Sequence, residues 1–138
     1  MLAVDTNLVV RLLTNDDRDQ ARRAAAIFAA NEVFVPKTVL LETEWVLRHA
    51  YGLERPAILR GLLGLLGMHR VVAEDSLNVA AALAWYERGL DFADALHLAA
   101  SGQAQRFVTF DARFARRAKG VVPLEVVASD QRAADAAG

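Results

Sequence analysis

The sequence predicts an α/β fold in which helices flank a central parallel β-sheet. Short β-branched segments alternate with longer stretches of helical periodicity, which is the order expected of such a sheet. The strand candidates are apolar at almost every position, as is typical of parallel strands that are covered on both faces. With 138 residues and neither an internal repeat nor a linker, the chain is expected to form one domain over residues 1–128.

Five segments are predicted to be strands, and six stretches have helical periodicity. The strands are 2–5 (LAVD), 33–36 (VFVP), 70–73 (RVVA), 106–110 (RFVTF) and 123–127 (PLEVV). The helices are 17–30, 38–51, 55–66, 75–88, 92–104 and 111–118. Thr38 is the expected N-cap of the second helix, and Gly52 follows its end. Residues 129–138 are polar and alanine-rich, and they are expected to form a flexible tail.

The composition excludes several classes of protein. The chain has no cysteine, so it has no disulfide, no zinc–thiolate site and no thiol nucleophile, and a cytoplasmic location is expected. A net charge of −1 excludes a strongly basic surface but not a local basic patch. The first residues lack a basic stretch, and Asp5 interrupts their apolar run, so neither a signal peptide nor a membrane span is predicted.

Two acidic residues follow predicted strands directly. Asp5 closes the first strand, and Asp111 follows RFVTF. Sites in such sheets lie at the carboxyl ends of the strands, so both acids would face one crevice if these two strands are neighbours. The strand before Asp5 is so apolar that its carboxylate is expected to be buried and to need a partner. The alternative for Asp111 is that it only caps the helix 111–118.

Two further acids lie within helical stretches. Glu42 lies about one turn into an apolar helix, and Asp94 lies in the apolar segment LDFADALHLAA. Glu44, two positions after Glu42, faces elsewhere and is expected to pair with Arg48 at the helix surface. In the structural alternative Glu42 pairs at the surface too, and Asp94 completes a capping box with Asp91.

A cluster of acids requires a cation, because like charges at close range raise one another's pKa. Carboxylates without histidine or cysteine suit Mg²⁺ or Mn²⁺, which prefer oxygen ligands. Such a site is typical of phosphodiester chemistry, where the metal activates water and neutralises the leaving oxygen.

The contexts of these acids resemble those of the PIN-domain family. The matching segments are DTN at Asp5, LLETEWVL at Glu42, DFADALHLA at Asp94 and TFDARFAR at Asp111. More narrowly, residues 1–127 resemble the VapC-type toxins of bacterial type II toxin–antitoxin modules. The resemblance implies a parallel sheet with strand order 3-2-1-4-5.

The resemblance also implies an activity, cofactors and partners. It implies an RNA-cleaving hydrolase in which the four acids hold one or two Mg²⁺ or Mn²⁺ ions, with Glu42 rather than Glu44 at the second position. Thr6, Asn7 and Thr109 match small polar positions that hold the acids or a water. The implied partners are RNA, a cognate antitoxin and a second copy of the chain. The apolar segment 57–67 and the helix around Trp45 are the candidate protein-contact patches.

A polyanionic substrate needs cations, and fourteen of the sixteen basic residues are arginine, which suits bidentate phosphate contacts. The candidates for RNA binding are Arg11, Arg113, Arg116 and Arg117, with Lys119 beside them. The alternative is a solvated helix face whose basic residues lie near its C-terminus. His97, in an apolar stretch, is expected to be buried rather than to bind a metal.

Three competing functions remain open. A phosphoacceptor signalling domain would use Glu74 or Asp75, but no lysine follows in the expected context. A non-catalytic scaffold would use the acids only as caps and ion pairs, and the intact set of four acids argues against it. A nuclease acting on DNA would keep the same mechanism.

Overall fold

The structure is a computed structural model that describes residues 1–129, so residues 130–138 of the predicted tail lie outside the described residues. The chain divides into two compact units, residues 1–76 and the part that begins at residue 77. Seven helices and five strands are present in the described residues, and every strand pair is parallel. The predicted α/β class is therefore confirmed.

The first unit contains a three-stranded sheet. Its elements are β1 (Leu2–Ala3), α1 (Thr6–Thr14), α2 (Arg18–Ala30), β2 (Val33–Val35), α3 (Lys37–His49), α4 (Arg55–Leu66) and β3 (Val71–Ala73). The strand order is β1-β2-β3, with Val33 of β2 opposite both Leu2 and Val71. Val33 and Val35 are fully buried, as are apolar residues on one face of α3 and of α4, among them Leu40, Leu47, Ile58 and Leu62.

The second unit contains a two-stranded sheet. Its elements are α5 (Ser76–Glu87), α6 (Phe92–Ala99), β4 (Arg106–Thr109), α7 (Ala112–Ala118) and β5 (Glu125–Ala128). Arg106 of β4 lies opposite Glu125 of β5. Tyr86 and Phe92 are both buried and meet edge to face, 5.4 Å between ring centroids. Phe107 of β4 packs against Phe114 of α7 at 5.7 Å, which fixes this helix against its sheet.

The two sheets agree with two parts of the strand order 3-2-1-4-5. Strands 3, 2 and 1 are neighbours in the first unit, and strands 4 and 5 are neighbours in the second. The adjacency of β1 and β4, which that order also requires, stays a prediction. The expectation that all strands are covered on both faces is wrong for β1, since Leu2 and Ala3 are both exposed.

Helix α1 starts directly after Asp5, without a loop, and the sequence pattern predicts no bounds for this helix. Two local predictions are wrong. Helix α6 ends at Ala99 instead of residue 104. In the segment 57–67, predicted to be a contact patch, four residues are buried, and among its large hydrophobic side chains only Leu63 is exposed, because the other leucines face the core.

Helix α3 is capped from a distance. It begins at Lys37 with Pro36 at the N-cap, so Thr38 is not the cap that the sequence predicted. Proline offers no side-chain acceptor, and the backbone N–H of Lys37 donates instead to Oε1 of Glu74, at 2.9 Å. Lys37 Nζ also pairs with Asp75 Oδ2 at 3.2 Å. Both acids of the phosphoacceptor alternative therefore engage Lys37.

Candidate functional site

Asp5 lies at the N-terminus of α1. Its Oδ1 accepts a hydrogen bond from the backbone N–H of Thr6 at 2.7 Å, so Asp5 is the N-cap of this helix. The residue is exposed, and the prediction of a buried carboxylate is wrong, because the buried residue of this segment is Val4. The carboxylate is thus held by the helix it caps and still accessible.

Thr6, next to Asp5, carries an unsatisfied polar atom. The residue is 5% exposed, and its Oγ1 has no hydrogen-bond partner among the described residues. A buried hydroxyl without a partner is costly, so this position suits a bound water or ligand. Asn7 is exposed on the next position of the helix.

The two glutamates of α3 have opposite environments. Glu42 is exposed, whereas Glu44 is 1% exposed. Glu44 receives two hydrogen bonds from Arg48, from Nε at 2.9 Å and from Nη2 at 3.2 Å. The predicted partner of Glu44 is therefore confirmed, but its predicted surface location is wrong. Of the two, Glu42 is the carboxylate that a ligand can reach.

Asp94 interacts electrostatically with two other carboxylates of the second unit. Asp94 is half-buried in the first turn of α6, and burial raises its pKa. Asp91 and Asp111 raise the pKa of Asp94 further, while His97 and Arg117 lower it. Burial and the two carboxylates outweigh His97 and Arg117, so the pKa of Asp94 is raised on balance. His97 itself is exposed, so the expectation that it is buried is wrong.

Asp111 is held in a defined orientation by α7. Its Oδ1 accepts the backbone N–H of Phe114 at 3.0 Å, which confirms the capping alternative. Thr109 Oγ1 accepts the backbone N–H of Asp111, also at 3.0 Å. Capping uses one carboxylate oxygen, so it is compatible with a second role for the other. Asp91 is the N-cap residue of α6 but makes no side-chain cap hydrogen bond.

The predicted RNA-binding arginines differ in their environments. Arg113, Arg116 and Arg117 are exposed on α7. Arg11, by contrast, donates through Nε to Gln20 and through Nη1 to Asp16 and to the Tyr51 hydroxyl. Its guanidinium is thus engaged within the first unit, while the arginines of α7 remain available to a ligand.

A cleft of about 370 Å³ lies between α1 and α2 in the first unit. Asn7 and Arg11 line it from α1, and Gln20, Arg23 and Ile27 line it from α2. Its lining combines amide and guanidinium groups with an apolar floor.

The described residues contain no group of three or more histidine, aspartate or glutamate side chains close enough to hold a metal ion. Asp5 and Glu42 belong to the first unit, and Asp94 and Asp111 belong to the second. Of the four, Asp94 and Asp111 interact electrostatically. The assembly of all four acids stays a prediction.

Sequence reasoning missed the exposure of one residue and the capping role of another. Phe110, between Thr109 and Asp111, is 94% exposed. The segment TFDAR contains it, but apolar periodicity assigned it to the strand. Glu74, which caps α3 through the N–H of Lys37, has no local sequence signal because the two residues are 37 positions apart.

The sequence matches the PIN domain family over residues 2–120, which is most of the chain. The chain therefore belongs to the PIN-domain family. PIN domains are generally nuclease domains and are typically metal-dependent. No curated protein matches the chain. Among the described residues, no helix has both the length and the apolar character needed to cross a membrane.

Proposed function

We propose that the protein is a metal-dependent endoribonuclease that hydrolyses RNA phosphodiester bonds, with Asp5, Glu42, Asp94 and Asp111 as its acids. The observation that carries this proposal is the half-buried Asp94 with its electrostatic coupling to Asp91 and Asp111, in a chain that belongs to the PIN-domain family. Desolvated like charges are stabilised by a cation, and oxygen donors alone select Mg²⁺ or Mn²⁺.

Two features of the described residues fit such a cation. The pKa of Asp94 is raised by burial and by neighbouring carboxylates, and the buried Thr6 Oγ1 next to Asp5 lacks a partner. One or two Mg²⁺ or Mn²⁺ ions, held by the four acids, would supply the positive charge that activates water and stabilises the departing oxygen.

The residues around the acids have defined tasks in this proposal. The caps of α1 and α7 fix the orientations of Asp5 and Asp111, so little ordering remains to be done when a ligand binds. Thr6 Oγ1 is free to hydrogen-bond a water beside Asp5. Arg117 opposes the rise in the pKa of Asp94 and so favours the ionised carboxylate, the form that donates oxygen to a cation.

The finer proposal is that the nuclease is the VapC-type toxin of a cytoplasmic toxin–antitoxin pair. It is supported by the resemblance of residues 1–127 to that group. The exposed Trp45 and Leu63 are candidate contacts for an antitoxin or for a second copy.

A non-catalytic interaction domain is the second candidate. The observation that favours it is the lack of a group of three metal-binding side chains among residues 1–129. In that case Asp5 and Asp111 serve only as helix caps.

Cleavage of structured RNA by purified, antitoxin-free protein tests the proposal. We expect cleavage with Mg²⁺ or Mn²⁺, none with EDTA, and none for Asp5→Asn or Asp94→Asn. Asp17→Asn is the matched control, because Asp17 caps α2 through the N–H of Gln20 as Asp5 caps α1. A folded wild type that neither binds these metals nor cleaves RNA would favour the interaction domain.

A further inference from the structure

Phe110 is almost fully exposed, although the protein buries other phenylalanines. It is 94% exposed, whereas Phe28, Phe92 and Phe114 are at most 5% exposed. Phe107, three positions earlier, packs on Phe114 and contributes to the core. Single exposed apolar side chains are common at protein surfaces, but among the described residues Phe110 is the most exposed of the large hydrophobic ones, ahead of Leu77 at 85%.

The backbone around Phe110 is held on both sides. Thr109 Oγ1 accepts the N–H of Asp111 at 3.0 Å, and the Thr109 carbonyl accepts the N–H of Ser129. Asp111 in turn caps α7 through Phe114. The ring is therefore presented to solvent from a fixed turn, and little conformational entropy is lost when a ligand covers it.

Basic residues follow Phe110 along the chain, directly after Asp111. Helix α7 has three exposed arginines and no acidic residue, and the exposed Lys119 follows it. Within residues 1–129, Arg113, Arg116 and Lys119 make no hydrogen bond or ion pair through their side chains. Basic side chains that are unpaired among residues 1–129 complement a polyanion, which distinguishes the patch from an ordinary apolar contact surface.

We propose that Phe110 stacks on an unpaired base of single-stranded RNA, while Arg113 and Arg116 contact the adjacent phosphates. An aromatic side chain beside a row of cations is the combination by which proteins bind single strands without reading their sequence. A base within a duplex has both faces covered, so double-stranded RNA cannot use this ring. The inference rests on the proposed function in one respect only, namely that the stacked base would lie next to Asp111, one of the proposed catalytic acids.

Binding of a fluorescein-labelled single-stranded RNA 12-mer, followed by anisotropy in EDTA, tests this inference. Phe110→Ala is expected to weaken binding at least about fivefold, because stacking of one base is worth roughly 1–3 kcal/mol by alanine substitution. Phe110→Tyr should restore the affinity. Val108→Ala is the matched control, since Val108 is also exposed on this segment, at 55%, and has no ring.

A 12-mer with abasic positions isolates the stacking contribution. The wild type and Phe110→Ala should bind this abasic RNA with equal affinity. The two proteins should also have equal affinity for a duplex of the same sequence. Equal affinity of the two proteins for the intact single strand would overturn the inference, as would no binding by the wild type. A change of sedimentation coefficient in Phe110→Ala without a change in RNA affinity would overturn it in favour of a protein interface.

Cleavage and binding can fail independently. Phe110-dependent binding by a protein that never cleaves RNA would support the inference and refute the nuclease. Metal-dependent cleavage that Phe110→Ala leaves unchanged, together with unchanged affinity, would support the nuclease and refute the inference.

Discussion

The carboxylate of Asp5 caps α1 and is also a proposed metal ligand, and these two roles respond differently to substitution. Asparagine caps helices about as well as aspartate but is a poor ligand for hard cations. We expect Asp5→Asn to abolish cleavage while the free energy of unfolding changes by less than about 1 kcal/mol. Urea unfolding and RNA cleavage, measured on the same preparation, check this expectation.

Asp17 provides the control for that experiment, because it caps α2 in the same way and has no proposed ligand role. Asp17→Asn should match Asp5→Asn in stability and the wild type in cleavage. If Asp5→Asn cleaves RNA at the wild-type rate, Asp5 is a cap and nothing more.

The glutamates of α3 give a second prediction at this scale. Glu42→Gln should abolish cleavage and change the free energy of unfolding by less than about 0.5 kcal/mol, because Glu42 is exposed. Glu44→Gln should lower that free energy by about 2 kcal/mol, since it weakens the charge-assisted hydrogen bonds from Arg48 to a buried carboxylate. Thermal unfolding and single-turnover cleavage distinguish the two residues.

Stable, inactive Glu44→Gln together with active Glu42→Gln would reverse the assignment. The sequence could place both acids on one helix, but it could not say which of them is buried. Two acids separated by two positions lie on different faces, and the choice between those faces depends on what packs against α3. The exposure of Asp5 was missed for a related reason. Apolar neighbours in the sequence do not determine whether the residue at the end of a strand is buried.

At the scale of elements, the end of α1 is tied to the segment after α3. The Asp16 carboxylate accepts hydrogen bonds from Tyr51, at 2.7 Å, and from Thr14, at 2.9 Å, and it pairs with Arg11 at 3.0 Å. The hydrogen bonds from Tyr51 and Thr14 lower the pKa of Asp16 from 3.8 to about 2, with a further contribution from Arg11 and against the effect of desolvation.

This network predicts a pH-dependent contribution to stability. A carboxylate whose pKa is lowered in the folded state stabilises the protein above its unfolded pKa, and the contribution is lost as the pH falls through the folded pKa. The difference in unfolding free energy between the wild type and Asp16→Asn should be full above pH 4 and should shrink between pH 4 and pH 2. Urea unfolding at a series of pH values measures it.

Tyr51→Phe should reproduce most of this effect, because it removes the hydroxyl with the largest influence on Asp16. Asp19→Asn is the control, since Asp19 is exposed and lies 3.7 Å from Arg23. A difference in unfolding free energy between the wild type and Asp16→Asn that stays constant down to pH 2 would show that the network does not lower the pKa of Asp16.

Most elements were predictable, because apolar periodicity and helix caps are local signals. Asp111 was predicted as the cap of α7, and the helix over 55–66 has the predicted bounds. The bounds of α1 could not be predicted from the sequence. Strand β1 has only two residues, and only Val4 and Asp5 separate it from α1. The cap of α3 could not be found either, since Glu74 reaches it through tertiary structure.

At the scale of the whole molecule, a net charge of −1 means that RNA binding must come from a local patch. Affinity for single strands falls with salt in proportion to the number of phosphates contacted, with a slope of about −0.7 per phosphate. Replacing Arg113 and Arg116 by glutamine should therefore make the slope of log K against log [KCl] shallower by about 1.4. Anisotropy at several KCl concentrations measures the slope.

The same change of charge on α2 is the control. Arg22→Gln with Arg23→Gln should leave the slope unchanged, because the proposed RNA-binding residues lie on α7. Equal slopes for all three proteins would mean that α7 does not contact phosphates.

The hydrogen bond between Lys37 and Glu74 has a consequence for amide exchange. The first N–H of a helix normally exchanges rapidly with solvent, because no partner within the helix protects it. Here the N–H of Lys37 is bonded to a residue that directly follows β3. Deuterium should therefore enter this amide at the rate at which β3 separates from β2, so a single proton at the start of α3 reports the opening of the sheet.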